Sequence, residues 1–426
     1  MKKSTYNFIL YHDGYGYWYN ALSGKFFRLT QALSKKVEPL LDNIEILQEE
    51  AKPMYEKLCD SKFIIDDDVD EINVIRKCHQ EAVHSKDYFL IILPTLNCNF
   101  KCWYCIQEHI PSVMNPETFE TLKRHIDYMI EEEKISSLHI DWFGGEPFMY
   151  FKKIIEPLSR YAIQKCEQHN IPFMNSATTN GYFINSDVSS LLTDLKFKQF
   201  QITLDGEKVF HDKVKFMKGC TSAFEHVLKN INNMLAQNHN IRVLLRINYT
   251  HETLSGNIVP EVNEYISEDN RSKATVFLKK VWQEKKDKNF HVVLKQILDD
   301  FEKSGYYVSR GDMMPTFTSC YVNKKYYNAI NYNGNVVKCT ACNDIHKDKT
   351  KGNLLSNGHI VWDDSFDVKC QAPTFENEKC LSCKKLPICM GLCPRDHIAG
   401  MTHCKKDVVD EIFEESLLDY LIHQYS

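Results

Sequence analysis

Thr95-Leu96-Asn97-Cys98-Asn99-Phe100-Lys101-Cys102-Trp103-Tyr104-Cys105 is the stretch on which the reading of this 426-residue chain turns. Its cysteines form a CxxxCxxC array. Three thiolates this close can hold three corners of a cubane [4Fe-4S] cluster and leave the fourth iron without a protein ligand, open to a small molecule. A structural zinc site wants four protein ligands, so zinc here requires a distant fourth residue. Disulfides fit less well, because no secretory signal opens the chain and reduced thiols are expected. Plain buried cysteines would not cluster in this way.

Three further segments follow in order. Gly144-Gly145-Glu146-Pro147 comes after Ser137-Leu138-His139-Ile140-Asp141-Trp142-Phe143, which reads as a buried strand ending in a glycine turn that lets backbone approach a ligand. Ala177-Thr178-Thr179-Asn180-Gly181 sits where a next strand would end. Thr179 and Asn180 offer a hydroxyl and an amide to a ribose or carboxylate, although a helix cap or Asx turn is an equal reading of Asn180. Phe200-Gln201-Ile202-Thr203-Leu204-Asp205-Gly206 and Val243-Leu244-Leu245-Arg246-Ile247-Asn248-Tyr249 look like barrel strands with polar residues among apolar ones. An arginine in such a strand is costly to bury unpaired, so Arg246 points to an anionic partner. Asp205 reads as shaping the strand end or a substrate pocket.

Together these segments resemble the radical S-adenosylmethionine family, whose signature is CxxxCxΦC with Tyr104 at the aromatic position. The resemblance implies that Cys98, Cys102 and Cys105 bind the catalytic [4Fe-4S] cluster, with the amino and carboxylate groups of S-adenosyl-L-methionine on the open iron. It places Tyr104 near the adenine, Gly144, Gly145 and Glu146 at the methionine amino group, and Thr179 and Asn180 beside the cofactor. Gln201 would approach the ribose and Arg246 the carboxylate, through a charge-assisted pair. In that chemistry one electron cleaves the sulfonium to methionine and a 5'-deoxyadenosyl radical, which takes hydrogen from the substrate while the protein positions and excludes water.

The formal charge of -5 and pI near 6.4 give no support for nucleic-acid binding, and no stretch nears 18 apolar residues, so no membrane span is expected. The lysine runs Lys279-Lys280 and Lys285-Lys286 read as solvated faces of a helical insertion. Scattered histidines form no HExxH, and His211 reads as structural or close to the cofactor. The expected setting is a reducing, oxygen-poor cytoplasm. Residues 1–87 alternate aromatics at first and then turn helical, suggesting a small α+β unit that caps the enzyme or recognises a peptide on an open sheet edge. Residues 88–314 alternate strands with helices, an α/β pattern that with the resemblance implies a partial (β/α)6 barrel. No GxGxxG follows the first strand, which argues against a dinucleotide fold.

Residues 315–426 begin a third segment with nine cysteines between Cys320 and Cys404. Cys320, Gly334 and Cys339, then Cys380-x2-Cys383-x5-Cys389-x3-Cys393, then Cys404, resemble the seven-cysteine SPASM extension with two auxiliary [4Fe-4S] clusters, making three in all. The resemblance allots Cys320, Cys339 and Cys393 to the inner auxiliary cluster and Cys380, Cys383, Cys389 and Cys404 to the outer. The inner cluster is completed by Cys342, favoured for its nearness to Cys339, by Cys370, or by substrate. Zinc is the alternative for Cys380 to Cys393 taken alone. Cys59, Cys78, Cys166 and Cys220 read as buried small hydrophobes.

SPASM enzymes mostly act on peptides and proteins. Thr340 stands where sulfatase maturases usually carry an Asp base, and about 85 residues precede the barrel. Both departures point to a peptide maturase that installs a thioether or carbon-carbon crosslink in a ribosomally made precursor with a leader segment, fed electrons by a flavodoxin or ferredoxin. Oxidation of a protein Cys or Ser, as in sulfatase maturation, is the alternative. A noncatalytic electron-transfer or peptide-binding protein is another, though it would not need the cofactor positions.

Overall fold

The computed structural model describes residues 1–284, 290–311, 313–341, 350–371, 373–401, 404 and 410–425. The chain divides into two compact units, each discontinuous in sequence.

The first unit takes Met1–Ser85, Arg310–Lys325 and Asp367–Ser426. β1 (Lys2–Lys3) pairs antiparallel with β5 (Ile64–Ile65), and β2 (Asn7–His12), β3 (Tyr15–Asn20) and β4 (Phe26–Thr30) form an antiparallel sheet. Asp13 and Gly14, both at positive φ, make the tight turn between β2 and β3. The aromatics of β3 alternate faces, and both faces are covered. Tyr17 and Tyr19 pack with Phe8, Leu386, Met390, Leu417 and Leu421, whereas Trp18 packs with Phe27, Leu41, Leu58 and Phe63. The cysteine-bearing segment around Leu386 and Met390 thus shares a core with the N-terminal sheet.

The second unit takes Lys86–Ser309 and Tyr326–Phe366 and holds a mixed, barrel-like sheet of eleven strands. Seven are parallel and neighbour one another in chain order: β6 (Asp87–Leu93), β7 (Ser137–Trp142), β8 (Phe173–Thr179), β9 (Phe197–Asp205), β10 (Arg242–Tyr249), β11 (Ala274–Lys280) and β12 (Tyr307–Val308). β13 (Tyr327–Asn331) joins parallel to β6 on the other side, and β14 (Asn335–Val337), β15 (Gly352–Leu354) and β16 (Ile360–Trp362) continue antiparallel. Period-two alternation explains what each face does. Phe200, Ile202 and Leu204 of β9 and Leu245 and Ile247 of β10 join a core with helix residues Leu122, Ile126, Leu158, Val227 and Ile231. The residues between them, Gln199, Gln201, Thr203 and Asp205 on β9 and Leu244, Arg246 and Asn248 on β10, lie on the opposite, inner face. Lys279 and Lys280 correct the expectation of a solvated helical face: they end strand β11 and are half-buried. Lys285 and Lys286 lie outside the described residues. Among the described residues no helix is long and apolar enough to cross a membrane.

His125, on helix Pro116–Glu131, is buried; its Nε2 lies 2.6 Å from the Tyr88 hydroxyl and its Nδ1 lies 2.6 Å from the Gly358 carbonyl. The carbonyl requires Nδ1–H, so Nε2 accepts from Tyr88 and the ring is neutral. Burial lowers its pKa from 6.5 to about 4. A depressed histidine makes the unfolded chain bind the extra proton between those two values, so stability is full above pH 6.5 and falls as pH drops towards 4. The expected loss between pH 7 and pH 5 is about 2 kcal/mol, and His125→Gln should flatten it in anaerobic melts at those two pH values.

Candidate functional site

The cysteine loop leaves the C-terminal end of β6 and is strapped at its base by Ser112. Thr95 Oγ1 donates to the Ser112 carbonyl at 2.6 Å, and Leu96 N donates to Ser112 Oγ at 2.9 Å. Phe100 is buried edge-on against Tyr182, and Cys105 N donates to the Cys102 carbonyl at 3.0 Å. This turn chemistry keeps Cys98, Cys102 and Cys105 on one short loop. Burial pushes the Cys98 thiol up to about 12, against the Phe100 N–H, with the Glu146 carboxylate and the Cys102 and Cys105 sulfurs adding to it.

Gly144 and Gly145 follow β7, and the close approach they permit is to that loop. A Cβ on Gly145 would lie 2.1 Å from the Asn97 carbonyl oxygen, and one on Gly144 2.4 Å from that of Thr95. With no side chains in the way, Gly145 N donates to the Thr95 carbonyl at 3.1 Å and Glu146 N to the Asn97 carbonyl at 2.9 Å. Glu146 itself is fully buried. Its Oε1 accepts from Phe148 N at 2.9 Å and Thr179 Oγ1 at 2.8 Å, and its Oε2 accepts from Asn180 N at 2.8 Å. Burial raises its pKa and those three donors lower it. Asn180, held there, directs its Nδ2 to Asn99 Oδ1 at 2.8 Å and to Cys98 Sγ at 3.8 Å. One carboxylate therefore ties the ends of β7 and β8 together beneath the cysteine loop.

On the other side, the Tyr104 hydroxyl donates to Asp205 Oδ1 at the end of β9. Asp205 Oδ2 lies 3.3 Å from Lys215 Nζ, an ion pair with only 3% and 5% of the two side chains exposed. Lys215 Nζ also donates to the Thr203 carbonyl, and Asp205 N donates to His211 Nδ1 at 3.2 Å. His211 is fully buried and burial holds its pKa well below 6.5. Nothing in the sequence distinguished Lys215 from the lysines around it, and Asn99 and Ser112 were equally unmarked. Gln201 is half-buried on the inner face of β9. Arg246 Nε donates to Asn248 Oδ1 at 2.8 Å.

The segments recognised separately in the sequence thus meet at the C-terminal ends of β6 to β9. A family model for the radical SAM superfamily matches residues 92–255, the span that carries all of them. Over that span the chain is similar to the radical SAM superfamily.

Among curated proteins, the cysteine-type anaerobic sulfatase-maturating enzyme of Clostridium novyi is 26% identical over 155 residues, 34% of this chain and 40% of that enzyme. The chain thus matches about two-fifths of that relative's length. Among solved structures, native anSMEcpe with bound AdoMet superposes with a TM-score of 0.56 at 18% identity, covering 79% of this chain and 98% of that one. Streptococcus suis SuiB bound to its precursor peptide SuiA gives 0.52 at 16% identity, covering 94% and 97%. These likenesses concern the fold.

The donor set of the radical SAM segment suits a cubane. Among the described residues no three His, Cys, Asp or Glu side chains converge as they would on a single metal ion. A cubane asks for something different, since each thiolate binds a separate iron and the sulfurs stand apart around it. Three cysteines on one loop, with glycines pressing that loop onto β7, meet this requirement. In the first unit, burial pushes the Cys380 thiol up to about 11, with the charges of Cys389, Cys404 and Cys383 adding to it. Cys320 and Cys393 also fall in the first unit and Cys339 in the second. Cys370 is buried, and its carbonyl accepts from Asn323 Nδ2 at 2.9 Å. Cys342 lies outside the described residues. Of the four cysteines read as buried hydrophobes, Cys166 is buried, but Cys59, Cys78 and Cys220 are only half-buried.

Proposed function

We propose that the chain is a radical S-adenosylmethionine enzyme that installs an oxidative crosslink, thioether or carbon-carbon, in a ribosomally made precursor peptide. The observation that carries this reading is the Glu146 bridge, which gathers the turns after β7 and β8 under the cysteine loop and brings the Asn180 amide to Cys98. The parallel strands are read as the partial (β/α)6 barrel. Cys98, Cys102 and Cys105 would hold the catalytic cluster, with Tyr104, Gly144, Gly145, Glu146, Thr179, Asn180, Gln201 and Arg246 around S-adenosylmethionine. Bound there, cluster and cofactor supply a 5'-deoxyadenosyl radical that abstracts substrate hydrogen. The chain's own part is to fix the loop, orient the cofactor through the polar inner face and keep water out. The residue pattern after Cys320 supports two auxiliary clusters as electron acceptors, and the edges of the β2–β3–β4 sheet supply a place for a leader segment.

A second reading is oxidation of a protein Cys or Ser, favoured by the likeness to the Clostridium novyi sulfatase-maturating enzyme. Thr340, where such enzymes carry an acid, weighs against it.

The test is anaerobic reconstitution followed by reductant, S-adenosylmethionine and the short reading frame neighbouring the gene. Formation of 5'-deoxyadenosine with a mass loss of two hydrogens in the peptide is expected; no 5'-deoxyadenosine, with or without peptide, would sink the enzymatic reading. Iron analysis should give about twelve irons per chain, three cubanes, and Cys380→Ala or Cys383→Ala about eight. The same substitutions should destabilise the first unit, because thiolate ligation contributes folding energy.

A further inference from the structure

The inner face of the second unit carries excess positive charge at its β10–β11 end. Lys279 on β11 is in register with Asn248 on β10, the residue whose Oδ1 accepts from Arg246 Nε. Both cations are half-buried. Arg246 is paired with Phe277, so Lys279 stands two residues further along β11 on the same inner face; burial, and after it the Arg246 charge, holds the Lys279 ammonium below its usual range.

Among the described residues, three carboxylates at this end of the sheet are engaged elsewhere. Asp205, whose charge acts on Arg246, accepts the Tyr104 hydroxyl and pairs with Lys215. Glu146 already accepts from three donors, and Glu284 pairs with His251. Lys280, the next residue along, donates to the Glu284 carbonyl at 3.0 Å. Two like charges held together in a half-buried site repel, and the arrangement is costly until an anion enters. S-adenosylmethionine brings one carboxylate, which the proposed function gives to Arg246. Its ammonium and sulfonium make it a net cation, so it leaves the second positive charge uncompensated.

We propose that Lys279, beside Arg246, receives a carboxylate of the substrate, so that the inner face selects a peptide with an acidic side chain next to the residue being modified. The proposal rests on the peptide-modifying reading above. Lys279 Nζ stands 5.9 Å from the Phe277 ring on the same strand, which gives the pocket an apolar wall against which the methylenes of a Glu side chain can lie. A glutamine of the same shape would lack the charge and be discriminated against.

The test uses the cluster-loaded full chain with S-adenosylmethionine present and two probes that differ in charge alone, N-acetylglutamate amide and N-acetylglutamine amide. Trace acylation of individual lysines is followed by mass spectrometry. The glutamate probe is expected to slow labelling of Lys279 roughly ten-fold, the glutamine probe to leave it unchanged, and added salt to erase the difference. Lys229, exposed and paired with Glu225, is the internal reference. Equal protection by the two probes, or protection by neither, overturns the proposal. The enzymatic reading is judged separately by 5'-deoxyadenosine, so its failure and the failure of the carboxylate site give different results.

Discussion

Glu146→Ala is expected to destabilise the second unit by about 3–9 kcal/mol and to abolish 5'-deoxyadenosine formation. The substitution strands Phe148 N–H, the Thr179 hydroxyl and Asn180 N–H in a fully buried place, each orphaned donor costing about 1–3 kcal/mol. It also releases Asn180, whose amide then no longer stands at Cys98. Glu146→Gln separates the two effects. Its amide nitrogen must face a donor N–H on one side or the other, so it should fold with a smaller loss and bind S-adenosylmethionine more weakly. Anaerobic denaturant titration gives the first quantity and equilibrium binding the second. An Ala variant as stable and as active as the parent would mean that the bridge contributes nothing.

Cys98→Ala, Cys102→Ala and Cys105→Ala should each remove all cofactor cleavage while about eight irons per chain remain. These three sulfurs sit on one loop of the second unit, while Cys380, Cys383, Cys389 and Cys404 belong to the first. Loss at one group should therefore leave the other intact. Iron analysis and anaerobic absorbance measure the first half of the expectation, and 5'-deoxyadenosine the second. Retained cleavage in any of the three would refute the assignment of the catalytic cluster. Loss of every iron in all three would refute the independence of the groups.

The site was legible in the sequence to the extent that its chemistry is local. CxxxCxxC places three thiols on one loop because four- and three-residue separations leave them no room to diverge, and Gly144-Gly145 announces a close backbone approach whatever it approaches. What they approach, the carbonyls of Thr95 and Asn97, is a tertiary fact. Asp205 was readable as shaping the strand end or a substrate pocket and His211 as structural or close to the cofactor; Asp205 ends β9, and its N–H donates to the buried His211. Their partner Lys215 was not readable, because a lysine in a lysine-rich stretch has the same sequence appearance whether solvated or buried in an ion pair. Lys279 was misread for the same reason, as a solvated helical residue instead of an inner-face strand residue.

By itself the sequence determined the elements, because alternation, glycine position and thiol spacing act over a few residues: the strands β6 to β10, the cysteine loop and the turns that follow β7 and β8. Tertiary structure alone decided that Glu146 closes on Thr179 and Asn180, that Tyr104 reaches Asp205, and that β13 pairs with β6 although 238 positions separate Asn328 from its partner Leu90. Such hydrogen bonds and ion pairs form between groups distant in the chain, where burial makes each partner necessary to the other and no local pattern records the match.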